Sequence, residues 1–294
     1  MHNHLHLLVS SMSARGKALE VGKEVVRILR GAGWDVTVQV TRSSDSIPAA
    51  AQNADTRLVG AVGGDGYIAA VAQGLAEDPD RVMVPFPGGR GNDLCRSLGI
   101  GTDSLTHAKT LTQPDLENRI RAIDGMWIGS KRQLALGVVS LGIDATANRF
   151  ANQSRFRSGP LAYSWGAIAA FTQSHPNEFV VDVDGVVCDL PGWVCSISNS
   201  GWIGGGINIL PTSDPYDGVL EVLQVAPTSK ARALPLLAKV LGGRNLDSPL
   251  VQVISAREVH FMAPTGIVAM ADGDMVAKVP FTVRVAPQVV RVVI

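Results

Sequence analysis

Most of the features that usually announce a function are scarce in this chain. Only three of its 294 residues are cysteines, Cys95, Cys188 and Cys195. Their spacing fits neither a zinc site nor a redox pair, and an odd count suits a reducing compartment. They read as small buried apolar side chains. Neither sign of charge prevails, since 26 basic residues balance 26 acidic ones. That balance excludes a nucleic-acid binder working by bulk electrostatics, so no nucleic-acid partner is expected. Long apolar runs are absent. The longest, Leu161–Phe171 and Leu134–Leu141, fall well short of the roughly 20 residues that a membrane-spanning helix needs. No basic segment followed by an apolar core opens the chain, so no secretory leader is expected. The protein should be cytoplasmic and soluble, or bound peripherally. His2, His4 and His6 alternate along the first strand pattern and read as terminal residues rather than ligands.

What is present is a core-forming composition, 46% hydrophobic and 18% charged, which is too apolar for disorder. The length allows one large domain or two ordinary ones. Up to about residue 115, strand and helix patterns alternate. Leu5–Val9, Val36–Val40, Leu58–Val62 and Val82–Val84 read as strands. Ala14–Arg30, Ile47–Ala54, Tyr67–Glu77 and Asn92–Leu98 read as helices, the first closed by Gly31 and Gly33. Such alternation predicts an α/β domain with a parallel sheet covered on both faces. Beyond about Leu116, short strand patterns separated by turns predict a mostly antiparallel β-sandwich, interrupted by helical segments at Leu161–Phe171 and Lys230–Leu241. Two domains are expected, 1–117 and 118–294, with a substrate site between them.

Chemistry concentrates in two glycine turns. Residues 58–66 read Leu-Val-Gly-Ala-Val-Gly-Gly-Asp-Gly. An apolar strand ends in Gly63, Gly64 and Gly66 around one carboxylate, and a helical pattern follows. Strand, tight turn and helix N-terminus form the local geometry that binds phosphate through backbone N–H groups. A carboxylate there repels a phosphate unless a cation lies between them, so Asp65 points to a nucleotide phosphate with a divalent metal. The second turn, Pro87-Gly88-Gly89-Arg90-Gly91-Asn92-Asp93, follows the next strand and carries its own acid. In a parallel sheet both turns gather at the carboxyl edge, where ligands bind. No G-x-x-x-x-G-K-[ST] segment occurs, which excludes a P-loop. Gly64-x-Gly66-x-x-Ala69 matches the dinucleotide fingerprint formally. However, it belongs to an internal strand, and no acid follows about 20 positions on to hold a ribose.

Taken together, GGDG at 63–66 and P-x-G-x-G-N-D at 87–93, followed by Leu98-Gly99-Ile100, resemble the diacylglycerol kinase catalytic domain, a family that includes bacterial soluble lipid kinases and sphingosine and ceramide kinases. The resemblance continues through Ser140-Leu141-Gly142-Ile143-Asp144-Ala145, Asn199-Ser200 with Gly204-Gly205-Gly206 and Ile209-Leu210-Pro211, Asp214-Pro215-Tyr216-Asp217-Gly218, and Asp272-Gly273-Asp274. These matches keep the family's order over nearly the whole chain.

The resemblance implies an ATP- and Mg²⁺-dependent kinase that phosphorylates a lipid alcohol, diacylglycerol first among the candidates. Thr41, Gly63, Gly64, Asp65, Gly66, Gly89, Arg90, Gly91 and Asn92 would contact the nucleotide. Asp65, Asp93 and Asp124 would reach Mg²⁺ directly or through water, while Asp217, with backbone near Asp214 and Val219, would hold a structural Mg²⁺. Asp274 or Asp272 would take the proton of the attacking hydroxyl. Phosphoryl transfer needs positioning and charge neutralisation, which an acid cluster with Mg²⁺ suits. Residues 145–177 carry Arg149, Arg155 and Arg157 among Phe150, Phe156, Tyr163 and Trp165, with no acid before Glu178. They suggest peripheral docking on an anionic inner membrane face. A homodimer is compatible with this reading.

Three positions depart from the family pattern. Ser10–Gly16 stands where the family has an Asn-Pro loop, Arg90 stands where threonine is common, and Asp274 stands where glutamate is usual. Arg90 could pair with a phosphate, or pair with Asp65 or Asp93 and take the metal's place. The alternatives are therefore an NAD kinase-like enzyme, since that family also carries GGDG, and a non-catalytic nucleotide- or lipid-binding regulator.

Overall fold

The fold is a computed structural model that describes residues 4–42, 45–142, 175–241, 248–272 and 274–294. Several expectations lie outside the described residues. These are Ile143-Asp144-Ala145, the basic and aromatic stretch through Arg149, Arg155, Arg157 and Trp165, the Leu161–Phe171 helix, and Gly273. The chain forms two compact units, Met1–Asp124 with Pro287–Ile294, and Gly125–Ala286.

The first unit is α/β. Strands β1 (His4–Ser10), β2 (Asp35–Thr41), β3 (Leu58–Gly63) and β4 (Val82–Pro87) lie in the order β2-β1-β3-β4, all parallel. The two central strands β3 and β4 are buried at every position, as expected of parallel strands covered on both faces. Helices α1 (Lys17–Gly31), α2 (Ile47–Gln52), α3 (Asp65–Leu75), α4 (Asp93–Ser97) and α5 (Ser104–Leu111) connect or cover them. The core joins Leu5, Leu7 and Val9 of β1, Val84 and Phe86 of β4, Val25 and Leu29 of α1, and Ala108 and Leu111 of α5. The chain's last strand returns to this unit, with Val292 pairing parallel to Met83 of β4. Register fixes which residues end together: Ser10 pairs with Thr41, Val9 with Val62, and Gly63 with Pro87. The carboxyl ends of all four strands therefore form one row.

Helix α5 has no apolar stripe strong enough to be expected from periodicity. It is started by Asp103, whose carboxylate accepts the Leu105 N–H at 2.9 Å, a standard N-cap arrangement. It buries His107 edge-on to Phe86, with ring centroids 5.6 Å apart. Among the described residues no group pairs with His107 Nε2. Burial, aided by the Arg119 charge, lowers the His107 pKa to about 4. The folded state therefore binds a proton less readily than the unfolded chain, so stability is lost as pH falls from about 6.5 toward 4. The expected loss is on the order of 3 kcal/mol. Urea titrations at pH 7 and pH 4.5 should show it, and the His107→Leu variant should lose markedly less over the same interval.

The second unit is an antiparallel sandwich. One sheet has the order β14-β13-β10-β7-β16-β17, with β7 (Val138–Gly142), β10 (Val194–Ser198), β13 (Leu220–Val225), β14 (Val251–Ala256), β16 (Val268–Ala271) and β17 (Asp274–Lys278). Facing it, β9 (Val186–Gly192), β8 (Asn177–Val183), β15 (Glu258–Ala263) and the first part of β18 (Phe281–Val293) pair in sequence. Short strands β5 (Ile120–Ile128) and β6 (Gln133–Ala135) add a further antiparallel pair, and β11 (Trp202–Ile203) and β12 (Ile207–Asn208) form a small hairpin. Val139, Leu141, Ile197 and Val222 from the first sheet interdigitate with Phe179, Phe261 and Phe281 from the second. Phe261 stacks on Phe281 at 5.2 Å. Helix α6 (Lys230–Leu241) contributes Ala233 and Leu236 to a separate cluster with Val138, Val194 and Leu223, on the sheet's other face. This architecture is the one expected from the strand and turn patterns.

Cys95 and Cys195 are buried, and no disulfide forms. Burial pushes the Cys195 thiol up to about 12 and Cys95 higher still. Both behave as apolar core residues. Among the described residues no helix is long and apolar enough to cross a membrane.

Candidate active site

The row of strand ends in the first unit carries every glycine-turn residue singled out from the sequence. The Gly63–Gly66 turn packs directly on Gly88–Gly89. Gly88 N–H donates to Gly63 O at 2.7 Å. A methyl on Gly64 would meet the Gly89 Cα at 3.4 Å, and one on Gly89 would overlap the Gly64 backbone. Only glycine permits this approach. Asn92, in the left-handed region at φ 58°, closes the second turn by accepting the Gly89 N–H at 2.9 Å through Oδ1. Gly89→Ala should therefore cost about 1–3 kcal/mol by overpacking and weaken ATP binding, both readable from thermal melts with and without nucleotide.

Asp65 is the first residue of α3, two positions earlier than periodicity suggested. Its Oδ1 accepts the Leu94 N–H at 3.0 Å, so it caps α4, whose own N-cap Asn92 makes no side-chain bond to the helix. Its Oδ2 lies 2.8 Å from the position a Gly91 Cβ would take, and Asp93 Oδ2 lies 3.2 Å from that same position. Two carboxylates thus crowd one bare backbone. Burial raises the Asp65 pKa, opposed by the N–H groups of Leu94, Asn92, Asp65 itself and Asp93. Arg90, between these elements, is exposed, and among the described residues it forms no ion pair with either acid.

The loop after β1 is fastened to the same turns. Ser13 Oγ accepts the Gly64 N–H at 3.3 Å and donates to Ser10 Oγ at 2.8 Å. Ser11 Oγ donates to Thr41 O at 2.7 Å. The Thr41 hydroxyl pairs with Tyr67 Oη at 2.9 Å, and burial pushes the Tyr67 phenol up to about 12. Tyr67 was not legible as a site residue, because it belongs to no spaced motif, whereas Ser13 was visible only as one of several hydroxyls in the loop that stands in place of Asn-Pro. Asp124 is 1% exposed on β5, and its Oδ1 accepts the Gln288 N–H at 2.7 Å.

The second unit carries two further acid groups. Asp214 Oδ1 accepts the Tyr216 N–H at 3.1 Å and Asp217 Oδ1 the Val219 N–H at 2.9 Å, with Gly218 at φ 72° between them. These are side-chain-closed turns. Glu221, on the adjoining strand β13, is buried. Its pKa is raised first by burial and then, against a Ser213 hydrogen bond, by Asp217 and Asp214. Asp272 sits at φ 50° between Ala271 and Asp274, which pair across the β16–β17 hairpin. Its Oδ2 accepts the Leu136 N–H at 3.4 Å, and its Oδ1 occupies the space a Gly137 side chain would need, 2.5 Å from the Cβ position. Asp274 opens β17 on the exposed side, and desolvation of its carboxyl raises its pKa.

Among the described residues no three His, Cys, Asp or Glu side chains converge into a preformed metal cage. Mg²⁺ does not require one. It keeps several waters and is held by one or two carboxylates plus substrate phosphates. The Asp65 and Asp93 oxygens crowding one glycine fit that donor set.

The model of the diacylglycerol kinase catalytic domain matches residues 4–128, and the model of the YegS C-terminal NAD kinase beta sandwich-like domain matches residues 137–294. The chain belongs to the diacylglycerol kinase family. It is thus a lipid kinase, and kinases of this family use ATP. It is similar to a diacylglycerol kinase of Mycobacterium tuberculosis, 28% identical over 298 residues, covering 97% of this chain and 93% of that one. A diacylglycerol kinase of Bacillus subtilis is 23% identical, covering 87% of this chain and 85% of its own length. The crystal structure of a Bacillus anthracis diacylglycerol kinase superposes with a TM-score of 0.79 at 18% identity, covering 99% of this chain and 96% of that one. That last likeness concerns the fold.

Proposed function

We propose that this lipid kinase transfers the γ-phosphoryl group of ATP to the hydroxyl of diacylglycerol, yielding phosphatidic acid. The observation that carries the nucleotide half is the pair of interlocked glycine turns with Asp65 and Asp93 crowding Gly91. The Gly63–Gly66 and Gly89–Asn92 turns, bare of side chains at their glycines, let the phosphates approach the backbone, and Thr41 and Arg90 flank them. Asp65 and Asp93 would hold Mg²⁺, with Asp124 reaching it through water, and the ion would neutralise charge on the transferred phosphoryl group. Asp217, with backbone at Asp214 and Val219, would hold a structural cation.

Asp274 takes the acceptor's proton, since its raised pKa makes it a stronger base than an ordinary aspartate. Asp272, tied down at Leu136 and Gly137, sets the turn that presents it. Relatives named diacylglycerol kinase support the choice of acceptor. Diacylglycerol resides in bilayers, so the enzyme works at the inner membrane surface. Labelled γ-ATP with Mg²⁺ and micelles of diacylglycerol, monoacylglycerol or sphingosine, with NAD in parallel, tests the assignment. Label entering diacylglycerol fastest is expected. Label in NAD alone, or ATP binding without transfer to any acceptor, would overturn it.

A further inference from the structure

Ser200 carries a hydroxyl that the fold buries and leaves without a partner. The residue is 2% exposed, and among the described residues no group forms a hydrogen bond with its Oγ. Its backbone is fixed on both sides. Asn199 N–H donates to Gly137 O at 3.0 Å, and Asn199 Nδ2 donates to Leu136 O at 3.1 Å. Gly201 N–H donates to Ser198 Oγ at 2.8 Å, and Gly201 O accepts the Ile209 N–H at 2.8 Å. The backbone on both sides of Ser200 is thus pinned. Buried hydroxyls are nearly always paired, because losing water without replacement is costly. A rigidly held exception therefore points to a partner that comes from outside.

The direction of Ser200 is informative. The position a Gly137 Cβ would take has three neighbours: Asp272 Oδ1 at 2.5 Å, Asp272 Cγ at 3.7 Å and Ser200 Oγ at 3.9 Å. A hydroxyl and a carboxylate thus flank one stretch of bare backbone. Asp272 is itself partly exposed, and Asp274 pairs with Ala271 on its far side.

We infer that the Ser200 hydroxyl, beside Asp272, binds an oxygen atom of the acceptor lipid's polar end and so positions the reacting alcohol. The inference rests on the lipid-kinase reading above. The ligand class is an alcohol with a second oxygen function near its reacting hydroxyl, as in a glycerol ester. A plain fatty alcohol has no oxygen to place there.

The test compares wild type with Ser200→Ala on dioctanoylglycerol and on decanol in mixed micelles, with calorimetric binding of dioctanoylglycerol in the absence of ATP. Loss of one neutral hydrogen bond should raise KM for dioctanoylglycerol about tenfold. KM for ATP and kcat at saturating acceptor should hold, the thermal midpoint of the free protein should stay level or rise because an unpaired buried hydroxyl is removed, and preference for dioctanoylglycerol over decanol should shrink by the same factor. An active Ser200→Ala enzyme with unchanged KM for dioctanoylglycerol overturns the inference. So does an equal loss on both acceptors with a lowered thermal midpoint, which marks a purely structural serine. Should wild type phosphorylate neither acceptor, the kinase assignment to diacylglycerol fails separately, and calorimetry decides Ser200 alone. Binding about tenfold weaker in the variant sustains the inference, and equal affinity ends it.

Discussion

Asp65→Asn should abolish turnover, by about 10³-fold or more, while leaving the protein folded. Asparagine keeps an oxygen to accept the Leu94 N–H, so the cap on α4 survives, while the charge and one of the two acceptor oxygens are lost. About 4 kcal/mol of transition-state stabilisation corresponds to that factor, within reach of a metal contact that neutralises a transferring phosphoryl group. The stability of the metal-free protein should move the other way. Asp65 has a folded-state pKa raised by burial, so the folded state holds its proton more tightly than the unfolded chain. Its stabilising contribution is complete below the ordinary carboxylate value and is lost as pH rises through the raised one. Ionising this buried carboxyl without a cation beside it is therefore costly, and Asp65→Asn should melt at a temperature equal to or above that of wild type without Mg²⁺. Added Mg²⁺ and ATP should stabilise wild type and leave the variant nearly unmoved. Paired thermal melts and initial rates check both halves. A variant that keeps wild-type turnover removes Asp65 from the metal assignment.

Asp274→Asn should lower kcat by about 10²–10⁴-fold, the range for a lost general base, with KM for ATP unchanged. Asp274 lies in the second unit and opens a strand whose pairing with Ala271 is carried by backbone. The fold should tolerate the change. The acid limb of the rate profile should identify the group. A base works only when ionised, so activity is lost as pH falls through its folded pKa, and desolvation places that limb above the ordinary aspartate value of about 3.9. Asp272→Asn is the comparison. Its carboxylate is wedged at Gly137 and accepts the Leu136 N–H, so its loss should disturb the turn and raise the acceptor KM more than it lowers kcat. The reverse ranking of the two variants would exchange their roles.

Much of this was legible because the informative residues are the ones backbone geometry restricts. Gly64, Gly89 and Gly91 sit where a Cβ would collide, so the glycine pattern states the packing of the turns directly. Parallel register then brings both turns to one edge with no further information. The start of α3 was misplaced because Asp65 looks like a turn residue, whereas an acid also belongs in a helix's first turn. Helix α5 escaped notice because it is short and hides a histidine in its buried face. Strand β17 had a readable signal in Asp272-Gly273, a dipeptide that favours tight hairpins, but its partly exposed residues lack apolar alternation. Gly137 offered a weaker hint, since a lone glycine at a strand's edge often marks close approach. Asn199-Ser200 and Ser10–Gly16 were visible as family positions, but nothing local marks which of their hydroxyls matter. Their significance depends on which atoms surround them, and those come from segments distant in sequence.

The long strand β18 has a consequence for biosynthesis. It begins in one unit and ends in the other, and Val292 supplies the neighbour of Met83 only after the entire sandwich has been translated. Strand β4 therefore leaves the ribosome with an unpaired, fully apolar edge, which is exposed to wrong partners until the last strand arrives. Pairing across so large a sequence separation is intrinsically slow. Chaperone occupancy of the nascent chain should accordingly persist after the nucleotide turns are made, and the first unit should mature last although it is synthesised first.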